Sequence, residues 1–205
     1  VLKKLAYVLR KGGFSVQAVI RKNDSDVFVY DIYPAGEEVK VTGLAVDIGT
    51  TTVSGILINM LTGEILAKGS AGNGQIRYGA DVINRIIESE KPGGHEKLQK
   101  AIIEETLNPL IESMCSHHGI REEQIYRVCV ASNTTMNHLL LGVYADPVRM
   151  EPFVPTFFKT NSVYANDIGL KVNPSAHIIF APNIGSYVGG DITAGAFVSM
   201  VWNKP

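Results

Sequence analysis

Within the short run Asp47-Ile48-Gly49-Thr50-Thr51-Thr52 the chain places a carboxylate, a glycine and three hydroxyls. A carboxylate there can hold Mg²⁺, directly or through water. A run of backbone N–H and hydroxyl donors at a tight turn can hold a phosphate. The flanking residues say what must position this chemistry. Leu44, Val46 and Ile48 alternate with Ala45 and Asp47, the period of a strand, and apolar residues resume at Val53, Ile56, Leu57 and Ile58. Thr62-Gly63 turns the chain again before Glu64-Ile65-Leu66-Ala67. An acid inside such a run is costly to bury and is depleted from strands. The expectation is a β-hairpin with a phosphate-holding tip; the competing reading is a Thr-rich turn capped by its Asp.

Three further stretches carry polar residues next to structural punctuation. Ala71 to Gly79 reads as a glycine-rich loop, either shaped for a ligand or another domain or simply leading into a helix, and Val82, Ile83, Ile86 and Ile87 mark one face of that helix. Tyr126 to Asn133 reads as a strand with Cys129 as a small core residue, running into Asn133-Thr134-Thr135 and the helix Met136–Leu141. Polar residues where a strand opens into a helix are common ligand contacts, and equally serve as an N-cap alone. Ala176 to Ala181 reads as a buried strand, leading through Asn183 and Gly189-Gly190 to Asp191 at the start of a small-residue helix, where an acid also suits the helix dipole.

Between these, Glu96–Ser116 is helical, with Ile103, Leu107, Leu110, Ile111 and Met114 on its apolar face and Pro109 kinking or dividing it. Cys115-Ser116-His117-His118 fits a helix end better than a zinc site, because no second ligand cluster accompanies it. The Pro147–Asn161 stretch, rich in proline and aromatics, reads as an ordered excursion with Phe153, Phe157 and Phe158 packed down. Residues 1–42 differ in texture: a helix over Leu2–Leu9, strands Phe14–Ile20 and Val27–Ile32, and a turn at Asn23-Asp24-Ser25-Asp26 make a small helix-plus-hairpin unit.

Composition bounds the classes available. With 205 residues, 45% apolar and 19% charged, the chain can bury a substantial core as an ordinary globular protein. A net charge of −1 offers no electrostatic case for nucleic acid, and no apolar run reaches the roughly 20 residues of a membrane span. Cys115 and Cys129, without a Cys-x-x-Cys spacing, suit a reducing cytoplasm. Opening on Val1 and closing on Lys204-Pro205, the chain reads as a fragment.

Asp47-Ile48-Gly49-Thr50-Thr51-Thr52 resembles the first phosphate loop of the actin, Hsp70 and sugar-kinase superfamily of ATPases, whose ribonuclease-H-like fold comes in two halves with ATP between them. Gln75–Ile86, Asn133–Gly142 and Gly185–Asp191 follow in order, and the set resembles the reductive activators of corrinoid proteins, the corrinoid-activating [2Fe–2S] ferredoxin-like ATPases. The resemblance implies an α/β fold: part of the family's middle domain over 1–42, then over 43–205 the first half of an actin/Hsp70-type ATPase domain. It implies ATP and Mg²⁺ as cofactors, Asp47 as metal-holding and catalytic, and Asp191 as a second catalytic acid, with Asn183 as runner-up. Gly49, Thr50, Thr51, Thr52, Asn133 and Thr134 become nucleotide contacts. The activity implied is ATP-driven electron transfer from a [2Fe–2S] cluster onto an inactive Co(II) corrinoid protein, the partner, restoring Co(I). Two cysteines cannot bind that cluster, which belongs to a segment absent here, as does the second half of the ATPase domain. With half the nucleotide site, the chain alone is expected to fold but to hydrolyse no appreciable ATP. A sugar or small-acid kinase of the same superfamily and a non-catalytic interaction module are the rival readings.

Overall fold

The computed structural model describes residues 1–22, 26–160 and 163–203; of the turn expected over residues 23–26, the first three residues lie outside them. The chain divides into two compact units, Val1–Val41 and Thr42–Pro205.

In the first unit, helix α1 (Leu2–Lys11) ends at Gly12 with Arg10 and Lys11 in its last turn, the favourable end for cations. Strands β1 (Val16–Lys22) and β2 (Val27–Pro34) pair antiparallel, with a register shift between Val19 and Ile20. Val8, Val19, Ile32 and Tyr33 form its small core. Lys4 Nζ lies 2.5 Å from Asp31 Oδ1, tying α1 to β2. The first strand starts at Val16, two residues later than the alternation predicts, because Phe14 takes a left-handed conformation (φ 64°) in the turn out of the helix.

The second unit is built on a six-stranded sheet. Strands β3 (Thr42–Ile48), β4 (Thr52–Asn59) and β5 (Ile65–Gly72) form an antiparallel meander; β6 (Ile125–Ser132) and β8 (His177–Phe180) extend it in parallel from β3, and the short β7 (Val163–Tyr164) pairs antiparallel at the edge. The spatial order is β5-β4-β3-β6-β8-β7. Parallel neighbours need crossovers, and helices supply them: α2 (Val82–Ser89), α3 (Gly94–Ile102) and α4 (Asn108–His117) lie between β5 and β6, and α5 (Thr134–Leu141) and the single turn α6 (Ala165–Ile168) between β6 and β8. Helix α7 (Gly190–Ser199) follows β8. This is the ribonuclease-H-like half of the actin-type ATPase fold.

The core lies on one face of this sheet. Leu44, Val46, Ile48, Val53, Leu57 and Val128 point into it from the strands, and Ile86, Leu98, Ile103, Ile111 and Met114 from the helices. Gly55 and Gly69 sit opposite each other on β4 and β5, and α4 rests on them. A Cβ at Gly69 would come within 2.9 Å of both Leu110 and Met114, so glycine sets how closely α4 approaches. The predicted helix over 96–116 is two helices joined by a π-helical segment, Ile103–Leu107. Pro109 enters near the start of α4, where the missing N–H matters least. In the wider turn, the Thr106 hydroxyl donates to the Ala101 carbonyl at 2.7 Å and accepts from Gly74 N–H at 3.0 Å.

Four expectations change in the structure. Cys129 is exposed, not a core residue: Val128 and Val130 take the covered face of β6, and Cys129 points to the other. The 176–181 strand is half-buried for the same reason, with Ile179 open. The glycine-rich stretch is the end of β5 followed by a 3₁₀ turn over Gly74–Tyr78, because Gly72 still pairs with Thr52. Phe157 packs, stacking on His138 at 4.3 Å, while Phe153 and Phe158 are exposed.

Candidate functional site

The turn 49–52 links β3 to β4, and its carbonyls are all held from within the protein. Gly49 N–H donates to Thr52 O at 3.0 Å, closing the turn. The side-chain Nδ2 of Asn73 donates to Gly49 O at 2.9 Å, and the backbone N–H of Asn73 donates to Thr51 O at 2.8 Å. The guanidinium of Arg85 donates to Thr50 O at 2.5 Å. In a trans peptide the C=O and the following N–H point in opposite directions. Holding the carbonyls of Gly49, Thr50 and Thr51 inward therefore turns the N–H groups of Thr50, Thr51 and Thr52 away from these anchors. Among the described residues, neither the Thr50 nor the Thr51 N–H donates to a backbone carbonyl. The Thr51 and Thr52 side chains are exposed. The result is a small nest of outward donors, the form that captures an anion.

The residues behind the turn are the ones sequence reasoning missed. Asn73 is buried, caps the 3₁₀ turn by accepting from Gln75 N–H, and reaches Gly49 with its amide. Arg85 is fully buried, where the apolar spacing of α2 predicts an outward residue; the inward face holds Arg85, Ile86 and Ser89, while Ile83 and Ile87 are exposed. Their signal was a polar residue between glycines (Gly72-Asn73-Gly74) and an arginine within an apolar helical run.

Asp47 lies at the end of β3, exposed on the face opposite the core. Partial desolvation of its carboxyl and, second, the negative charge of Asp191 push its pKa up from the ordinary value. The structure thus brings Asp47 and Asp191 together. Asp191 sits in the first turn of α7, its Oδ1 accepting from Ile192 N–H at 2.8 Å. Two carboxylates close enough for the charge of one to act on the other would favour a cation between them. No group of three or more His, Cys, Asp or Glu gathers among the described residues. Such a donor set fits Mg²⁺, which takes one or two carboxylates and fills its octahedron with water and phosphate oxygens.

Asn133 and Thr134 stand at the β6–α5 junction, and the structure occupies both internally. Asn133 is the N-cap, its side chain accepting from Met136 N–H. Thr134 is buried, its hydroxyl donating to Gly185 O at 2.6 Å. Asn183 is buried too, accepting from Asn137 Nδ2 at 2.8 Å, while Asn137 Oδ1 accepts from Ser132 Oγ at 2.5 Å. These bonds pin the 183–189 loop to the end of β6 and so fix where α7 and Asp191 begin. Gly189 allows the closest approach: a Cβ there would lie 2.4 Å from Ser132 O. Beside Asp47, a groove of about 540 Å³ runs over the uncovered face of the sheet, walled by Ala45, Ile56, Cys129, Ile179, Phe180 and, from α7, Ala194.

The family model described as "RACo middle region" matches residues 42–204 of the chain. The chain belongs to the RACo family. Among curated proteins it is 36% identical over 168 residues to the corrinoid activation enzyme RamQ of Eubacterium limosum, an alignment covering 81% of this chain and 28% of RamQ. Among solved structures it superimposes on a reductive activator for corrinoid, iron–sulfur protein with a TM-score of 0.87 and 38% identity, covering 99% of this chain and 32% of that one. The chain spans about a third of the length of these two relatives. Among the described residues no helix is long and apolar enough to cross a membrane.

Proposed function

We propose that the full-length protein carrying this chain is an ATP-dependent reductive activator that returns an inactive Co(II) corrinoid protein to Co(I), working in the cytoplasm. In this reading Thr42–Pro205, the unit that the RACo middle-region model matches, is the first half of its ATPase domain, and Val1–Val41 is a separate small unit ahead of it. The observation that carries the proposal is the turn 49–52, with its carbonyls held inward and its donors outward, set beside the Asp47–Asp191 pair. Gly49, Thr50, Thr51 and Thr52 would cradle the outer phosphates. Asp47 would hold Mg²⁺ and, with Asp191, orient what attacks the γ-phosphate. Bound Mg²⁺ would neutralise charge building on the phosphoryl oxygens. Asn133 and Thr134 would act one layer back, by fixing the junction on which the 183–189 loop sits. The residues here do not fit a [2Fe–2S] cluster: Cys115 is buried in α4 and Cys129 is exposed on β6, and four thiolates are needed. The electron source would sit on another part of the full-length protein.

The test is Asp47→Asn in the full-length protein. ATP turnover should fall on the order of 10²-fold or more, and ATP-dependent formation of Co(I), followed by visible absorbance, should be lost, with the melting temperature unchanged. Near-normal turnover at ordinary Mg²⁺ would sink the assignment.

A further inference from the structure

Arg85 is a fully buried cation, and among the described residues no carboxylate is hydrogen-bonded to it. Its Nε donates to Gly79 O at 2.8 Å and its Nη2 to Thr50 O at 2.5 Å; its Nη1 lies 3.4 Å from both Gln75 Oε1 and Met136 Sδ. Asp81 is near enough to favour the charge, yet both its oxygens are taken, one by Asn84 N–H and the other by Asn84 Nδ2. Burial pulls the pKa of Arg85 below its ordinary value, as desolvation of a cation must. A buried charge without an ionic partner is costly, and carbonyl acceptors offset only part of that cost. A fold that needed only a filled space here could use an apolar side chain of similar length.

What distinguishes this position is where the charge is aimed. Of the three carbonyls that set the direction of the turn's donors, Asn73 holds two and Arg85 holds the one between them. Through the trans peptide, the Thr50 carbonyl sets the direction of the Thr51 N–H. A second bond from the same guanidinium, to Gly79 O, ties that peptide to the segment leading into α2. The planar fork of arginine can hold both carbonyls at once; a lysine ammonium is a point donor on a flexible stem. The fixed positive charge also lies behind the nest, where little water intervenes to screen it.

We propose that Arg85 is a positioning residue for the nucleotide: it aims the Thr51 N–H at the bound phosphates and backs the turn with a positive charge that attracts them. This rests on the reading of the turn 49–52 as a phosphate loop. Asn73 and Arg85 then divide the work, the neutral amide setting geometry and the guanidinium setting geometry and charge.

The experiment uses the full-length protein and its Arg85→Lys and Arg85→Met variants, measuring steady-state ATP hydrolysis, inhibition by inorganic pyrophosphate, and the melting temperature. Arg85→Lys keeps the charge and loses the fork; KM for ATP should rise severalfold, with a smaller fall in kcat. Arg85→Met loses both, so KM should rise further and pyrophosphate inhibition should weaken in parallel, on the order of 10-fold. Arg85→Lys also covers the case in which the Met variant does not fold. If the folded variants keep KM and pyrophosphate inhibition within twofold of the parent, or lose activity only in step with the folded fraction, Arg85 is purely structural and the inference is overturned. If the parent itself hydrolyses no ATP, the phosphate-loop reading fails and this inference fails with it.

Discussion

Along β3, Leu44, Val46 and Ile48 point to one side of the sheet and are between 1% and 5% exposed, whereas Asp47 points to the other side and is open to solvent. The same split runs through β6, where Val128 and Val130 are buried and Cys129 is not, and through β8, where Ile178 is buried and Ile179 is not. One face is roofed by α2 to α5 and contains nearly all of the core; the other carries Asp47, a mainly apolar groove, and α7 along part of its length. Alternation forces this pairing of roles, since each strand must show every second residue to each side. The covered face makes the unit fold, and the open face carries the acid of the proposed site. Chemistry on the open face can therefore change with little effect on the core behind it.

The largest effect that would test this division is a pair of truncations of similar size. Leu57→Ala, at a fully buried position on β4, should cost about 2–5 kcal/mol in urea unfolding of this chain. Ile179→Ala on the open face should cost about 1 kcal/mol or less. Comparable losses at the two positions would mean that the open face is packed, and the comparison would collapse.

A middle-sized effect concerns an ionisable group hidden on the covered side. His138 is fully buried in α5; Nδ1 faces Thr134 O at 2.8 Å, so it donates, and Nε2 accepts from Thr156 N–H at 3.2 Å. Burial lowers its pKa from the ordinary 6.5, against the Thr134 hydrogen bond, which raises it. The unfolded chain then takes up the proton first as pH falls. The stability held by neutral His138 is complete above about pH 6.5 and is progressively lost below it. Melting temperatures between pH 7.5 and 5 should show this slope, and His138→Gln should flatten it. An unchanged slope in the variant would assign the pH dependence elsewhere.

The smallest effect sits on α7. Among the described residues a Cβ at Gly195 would find nothing within 4 Å, so Gly195→Ala should stabilise this chain by about 0.5–1 kcal/mol through helix propensity alone. In the full-length protein, where we propose that α7 meets the second half of the ATPase domain, Gly195→Leu should lower ATPase activity while this chain tolerates the same change. Equal tolerance in both would leave α7 without that contact.

The hairpin, its tip and the order of elements were legible because alternation, Gly49 and Thr62-Gly63 are local signals, and each strand of the meander is adjacent in sequence to its partner. Asp47 and the three threonines stood out as candidates for chemistry because polar residues interrupt an apolar pattern there. Arg85 was not, since α2 offers apolar residues at Ile83 and Ile87 that would satisfy the periodicity without it. What turns Arg85 inward is a set of acceptors contributed by Thr50, Gly79 and Gln75 across the tertiary structure. Cys129 was misplaced for a related reason: a strand's period says which residues share a face, but not which face the helices will cover. Thr134 reads as a candidate nucleotide contact and Asn183 as the runner-up to Asp191, and the structure uses hydrogen bonds of both to hold the loop before α7.

The π-helical segment between α3 and α4 also sets phase. Residues in an α-helix advance by about 100° each, so one residue more or less upstream rotates everything downstream by that angle. On one side of Ile103–Leu107, α3 is meshed with α2 and α5; on the other, Leu110 and Met114 of α4 are seated over the Gly55–Gly69 pair. The wide turn is the adjustment that lets both gears engage at once. Deleting a single residue there would leave a longer, straighter helix of ordinary propensity. It would also swing Leu110 and Met114 off their glycine seats and loosen the Thr106 link to Gly74, two residues from Gly72, where β5 pairs with the start of β4 beside the 49–52 turn.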